Sequence, residues 1–140
     1  MMSYRRKTDA SARFDERMRR EDESPRLQEH VPLLQSLRLE LAEYQHDGRS
    51  PLMSHVRHIV VGRAPALFHI LCGDRDCVDG GFDITREILH KLRTAATTFD
   101  GKQDCRGTRH GDTCQRRLEY TVVATYAEVS NMLSDPGLAR

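Results

Sequence analysis

CGDRDC at residues 72–77 and CRGTRHGDTC at residues 105–114 hold all four cysteines of the chain, two in each stretch. Both are dense in glycine, aspartate and arginine and both lie beside apolar, β-branched runs, so each reads as a turn-rich loop next to a strand. Two loops that each carry a pair of thiols form a ligand pattern. Together Cys72, Cys77, Cys105 and Cys114 supply the four-coordinate thiolate shell that zinc takes in structural sites. Gly73, Gly80, Gly81, Gly107 and Gly111 permit the tight turns that bring backbone amides up to sulfur.

Outward from the loops the elements follow from periodicity. Between them, Ile84, Ile88, Leu89, Leu92 and Ala95 recur at helical spacing, and Asp83 stands where a side chain would cap the free amides of a helix. Before the first loop, HVRHIVVGR (55–63) and ALFHILC (66–72) read as two strands joined across Gly62–Pro65, a hairpin whose second strand runs into Cys72. Further upstream, SLRLELAEY (36–44) fits a helical face through Leu34, Leu37, Leu41 and Tyr44. Its unbroken alternation of Leu37, Leu39 and Leu41 with Arg38 and Glu40 favours a half-buried strand. After the second loop, RRLEYTVVATYAEV (116–129) is the strongest strand candidate. The predicted fold is α+β: a small antiparallel sheet with one packed helix, the cysteine loops meeting at one end, and a single domain over residues 33–129.

Composition sets the background. Of 140 residues, 38% are hydrophobic and 31% charged, which suits one small domain, and 22 Lys and Arg against 21 Asp and Glu leave no global attraction to nucleic acid or anionic lipid. Residues 1–25 are charged with both signs and poor in apolar residues. They read as a flexible or helical arm, with Asp15 and Arg19 one helical turn apart, and residues 130–140, with Pro136 and Gly137, as a frayed tail. No apolar run has the length of a membrane span and the first residues lack a secretory pattern, so a cytoplasmic location without membrane contact is expected. In a reducing compartment, four loop cysteines favour a metal over disulfides.

The stretch from about residue 68 to residue 120 partly resembles a zinc ribbon. The spacings here are C-x4-C and C-x8-C, where the ribbon has two C-x2-C knuckles. Four thiolates leave no open coordination position, so the ligand set points to a closed structural site rather than a reactive one, with zinc as the cofactor. His110, inside the second loop, is an alternative ligand. Asp74, Asp76, Asp79 and Asp83 lack the spacing of a calcium loop and read as turn and helix caps, while His55, His58, His69 and His90 stand singly, with no partnered nucleophile.

Lys102, Arg106, Arg109, Arg116 and Arg117 make the second loop and its flanks basic, the best local site for an anion or nucleic acid. The opposite reading is that these cations neutralise the acidic first loop across the metal. The expected function is a non-enzymatic zinc-binding adaptor that contacts a protein or nucleoprotein partner. The alternatives are a direct nucleic-acid binder using the basic loop, and a thiol or metal-dependent enzyme.

Overall fold

The structure, a computed structural model, describes residues 15, 16 and 18–128. In chain order its elements are α1 (Leu27–His30), β1 (Leu34–Gln45), β2 (Met53–Ile59), β3 (His69–Ile70), β4 (Cys77–Val78), β5 (Phe82–Asp83), α2 (Thr85–Arg93), β6 (Thr98–Asp104), β7 (Thr108–Arg109), β8 (Asp112–Thr113) and β9 (Arg116–Tyr126). The chain is thus mixed helix and strand, with small antiparallel sheets. No helix among the described residues is long and apolar enough to cross a membrane.

The alternation in SLRLELAEY resolves as strand. β1 lies second in a four-stranded antiparallel sheet of order β2-β1-β9-β6. Because side chains on a strand alternate in facing, Leu37, Leu39 and Leu41 enter the core while Arg38 and Glu40 pair with each other on the open face at 3.1 Å. The register sets Leu37, Leu39 and Leu41 opposite Ala124, Val122 and Tyr120 of β9, all buried. On the open face Arg117 of β9 bonds Glu119, reaches the carbonyls of His46 and Gly48, and lies 4.8 Å from the centre of the Tyr44 ring. It thereby ties the β1–β2 turn to β9.

The structure departs from the sequence reading at three places. The segments around residues 55–63 and 66–72 do not pair with each other: β2 pairs with β1 at the sheet edge, and the short β3 pairs with β5. The turn residues at 62–65 reverse the chain through Ala64 N–H to Val60 O, and then send it to a bridge between Pro65 and Arg26. β6, which carries TFDGKQD, is a full strand paired with β9 that its polar composition did not announce. The folded unit also begins before residue 33, since Leu27 is fully buried and Val31 nearly so. Of the expected arm, residues 1–14 and 17 lie outside the described residues, and the helix at 15, 16 and 18–23 carries an ion pair between Glu16 and Arg19. The expected tail, 130–140, also lies outside them.

The helix between the loops forms as predicted. α2 buries Ile88, Leu89 and Leu92 in the same core as the inner face of the sheet. The N-cap is Ile84, which has no side-chain cap, so Asp83 stands one residue too early for the expected role; its Oδ1 still accepts the Thr85 amide at 3.1 Å, and Thr85 Oγ1 accepts the Phe68 amide at 2.8 Å, tying the helix start to the approach to β3. Burial opposes ionisation of Asp83, but the Thr85 hydrogen bonds and the charges of His69 and Arg20 outweigh it and lower its pKa. At the other end Ala95 lies beyond the helix with φ of 61°, its amide bonding Leu92 O and the Ala96 amide bonding Lys91 O. That is a Schellman stop with alanine where glycine is usual.

Candidate metal centre

The cysteine loops meet through a miniature sheet. β4, which contains Cys77, pairs with β7, and β7 pairs with β8, in the order β4-β7-β8. β7 and β8 are joined by His110 and Gly111, whose φ angles of 52° and 87° form the positive-φ, two-residue turn that suits the twist of a hairpin. Cys105 and Cys114 are buried, one on either side of this hairpin, and the Cys114 amide bonds Gly107 O at 2.9 Å. Cys72 and Cys77 are half-buried, at the end of the β3 approach and on β4.

All four sulfurs lie within 4.8 Å of one another, with Cys72 to Cys114 at 3.8 Å and Cys77 to Cys105 at 3.6 Å. A tetrahedron of sulfurs each ~2.3 Å from zinc has edges of ~3.8 Å, so the group has the size of a tetrathiolate site. The surrounding backbone fits the same reading. The amides of Gly81 and Gly107 donate to Cys105 Sγ at 3.3 and 3.4 Å, as amides do to metal-bound thiolates. A Cβ on Gly80 or on Gly107 would collide with Cys77 Sγ, so the cradle closes on the sulfurs only with glycine at these two places.

Thiol acidity reflects how the sulfurs crowd. Burial chiefly raises the pKa of Cys72, and burial with the adjacent thiols pushes Cys77 up to about 12. Burial also opposes ionisation of Cys105, but the amides of Gly107 and Gly81 and the neighbouring thiols outweigh it and lower its pKa. Bound zinc would reverse this balance, because a cation at the centre favours all the thiolates together.

The other predicted residues occupy distinct places. His110, at the exposed hairpin tip, has Nε2 3.4 Å from Asp76 Oδ2. Arg109 crosses to the first loop, with Nε 2.8 Å from Asp74 and Nη2 3.5 Å from Asp76. Arg116 pairs with Glu43 and Arg117 with Glu119, while Lys102 and Arg106 carry no ion pair among the described residues. Asp74 also accepts the Asp76 amide, closing a turn.

One residue escaped the sequence reading. Glu43, on β1, is 6% exposed, and its carboxylate lies against the first cysteine loop. Oε1 accepts the Gly73 amide at 2.9 Å and the Cys72 thiol at 3.6 Å, and Arg116 Nη1 lies 3.3 Å away. The signal was parity: Glu43 continues the buried series Leu37, Leu39, Leu41, a position where an unpaired charge is costly.

Fold and site together define a class, a small α and β chain with one cluster of four cysteines at metal-binding distance. Comparison of the chain with family models, with curated proteins and with solved structures gives no match in any of the three.

Proposed function

We propose that the chain is a non-enzymatic binding module whose cysteine end is closed by a structural, zinc-ribbon-like Zn(Cys)4 centre. The observation that carries this reading is the set of four sulfurs spaced for one tetrahedral ion, which leaves no coordination position for a reactive water. Thiolate-only donors favour zinc or iron–sulfur chemistry, and a single ion matches this compact group. The zinc would hold the β4-β7-β8 cap against the main sheet and contribute folding free energy.

Protein contact suits the surface better than nucleic-acid contact, because Arg109, Arg116 and Arg117 already serve internal acids. The surface that favours a protein partner is β2. It is an edge strand that carries His55 and His58 with no acidic residue, and it exposes Met53 and Val56. Such an edge suits an extended, acidic segment of a partner protein that adds a strand to the sheet.

Two measurements test these points. Cobalt-substituted protein challenged with azide or imidazole should keep its absorption spectrum, since every position is held by the chain; a shifted spectrum would open the site and return the enzyme reading. Titration of labelled protein with a peptide of alternating Glu and Val should move the β2 amides, and less so at high salt. An unmoved β2 would overturn this docking surface.

A further inference from the structure

The two cysteine loops are joined by more than sulfur. Gly73 follows Cys72 in the first loop, and Arg116 stands two residues after Cys114 in the second. Both bond the same oxygen, Oε1 of Glu43, at 2.9 and 3.3 Å, and Oε2 stays 3.2 Å from the Gly73 amide. Glu43 belongs to neither loop, and its place on β1 is fixed opposite Leu118 of β9 and Met53 of β2. It is the one buried charged residue among the described residues, and the side chain of Arg116 is 16% exposed.

We infer that Glu43 is the positioning residue of the metal centre, and that the Glu43–Arg116 pair is a latch holding the two half-sites together before and after the ion binds. The inference rests on the metal reading above and adds what sets the affinity of the site. A zinc tetrathiolate carries a formal net charge of about −2, and a buried carboxylate beside it adds to that charge. Alone, Glu43 would repel the loaded centre. Arg116 offsets it, and the carboxylate is then retained for geometry: its bonds to the Gly73 amide fix the turn that aims Cys72 at Cys114. Metal ligands oriented by such outer partners lose ~10- to 100-fold in metal affinity when the partner is removed.

A second feature fits the latch. Cys72 is the more exposed member of its sulfur pair, since Cys114 is 3% exposed, and it is the ligand whose loop hangs on Glu43. Loss of the latch would therefore free Cys72 first, while Cys105 stays held by the amides of Gly81 and Gly107.

The test uses the full chain, with zinc affinity measured by competition against a chromophoric chelator and alkylation of each cysteine followed in the loaded protein by mass spectrometry. Glu43→Ala should weaken zinc binding by ~10- to 100-fold and make Cys72 the first thiol to react. Glu43→Gln keeps an acceptor for Gly73 and should lose less, and it stands in if the alanine variant does not fold. Arg116→Met should weaken binding as well, and the double variant Glu43→Gln with Arg116→Met should lose less than the two single losses combined, because both act through one pair. Glu40→Gln, on the open face of the same strand, should change neither readout. Glu43 variants that bind zinc within twofold of the parent, with the alkylation order unchanged, would overturn the latch. A parent chain that binds no zinc would instead overturn the metal reading itself.

Discussion

Gly107 is the place where one added methyl group reports on the proposed metal centre. A Cβ built there would strike Cys77 Sγ and lie 2.5 Å from Gly80 Cα and 2.7 Å from Gly80 N. Two of those atoms belong to the backbone of the first loop, so no rotamer change relieves the clash and the loops must separate. Overpacking of this kind costs ~1–3 kcal/mol. If the cost falls on the closed arrangement that binds the ion, zinc affinity drops by ~5- to 150-fold, at 1.4 kcal/mol per factor of ten. Two other glycines separate this effect from a general loss of stability. At Gly62 an added Cβ meets no atom within 4 Å, so Gly62→Ala should change nothing. Gly111 also has open space, but its φ is 87°, so Gly111→Ala should lower stability through backbone strain and leave affinity nearly intact. Chelator competition on the full-length variants, with denaturant unfolding alongside, reads both quantities. A Gly107→Ala protein that binds zinc within twofold of the parent would refute the closed cradle.

Other consequences are more local. Ala95→Gly, at the left-handed helix stop with φ of 61°, should raise stability by ~0.5–1 kcal/mol, seen as a higher urea midpoint; a lower midpoint would contradict the Schellman geometry. Leu39→Ala removes a side chain 1% exposed at the centre of the main sheet and should cost ~2–5 kcal/mol in the same assay, whereas a cost below ~1 kcal/mol would contradict its burial. In the metal-free chain the Cys77 pKa is raised from 9.0 to about 12, so its contribution to stability is whole below pH 9 and is lost as pH rises toward 12. The zinc-loaded chain should lose stability at the opposite end, as protons displace the metal in acid. Urea midpoints across pH with and without chelator check both slopes, and a metal-free chain that gains stability from pH 9 upward would contradict the crowding of the thiols.

The residues that spoke clearly in the sequence did so through strong, repeated signals. Leu37, Leu39 and Leu41 alternate without interruption, and β1 follows them. Ile84, Ile88, Leu89 and Leu92 carry a helical period with Asp83 ahead of it, and α2 forms there, although Ala95 falls two residues past its end. The four cysteines were legible as a group because two glycine-rich loops each carry a pair of them, a ligand pattern visible without any tertiary information.

What stayed hidden was long-range pairing. β6 places Phe99, Gly101 and Gln103 on its half-buried face, so TFDGKQD carries no apolar stripe, and its Gly101 is covered by the Tyr120 ring across the register, a contact with no local signature. The partner of β2 was misjudged because turn residues at 62–65 reverse the chain without closing a hairpin, and the register of β1 had already claimed the strand. α1 spans only Leu27–His30, too short for periodicity to show, yet Leu27 is fully buried. Glu43 was readable only once the parity of β1 was fixed, since an acidic residue in a strand ordinarily faces water.

Cys72, Cys77, Cys105 and Cys114 are proposed to hold one zinc ion in a closed shell. X-ray absorption at the zinc edge, on protein purified without affinity-tag metal and with its metal content quantified, tests it most directly. The expected result is one zinc per chain with four sulfur neighbours at ~2.3 Å and no nitrogen or oxygen in the shell. A chain that retains no metal, or a shell in which nitrogen or oxygen replaces any of the sulfurs, would contradict it.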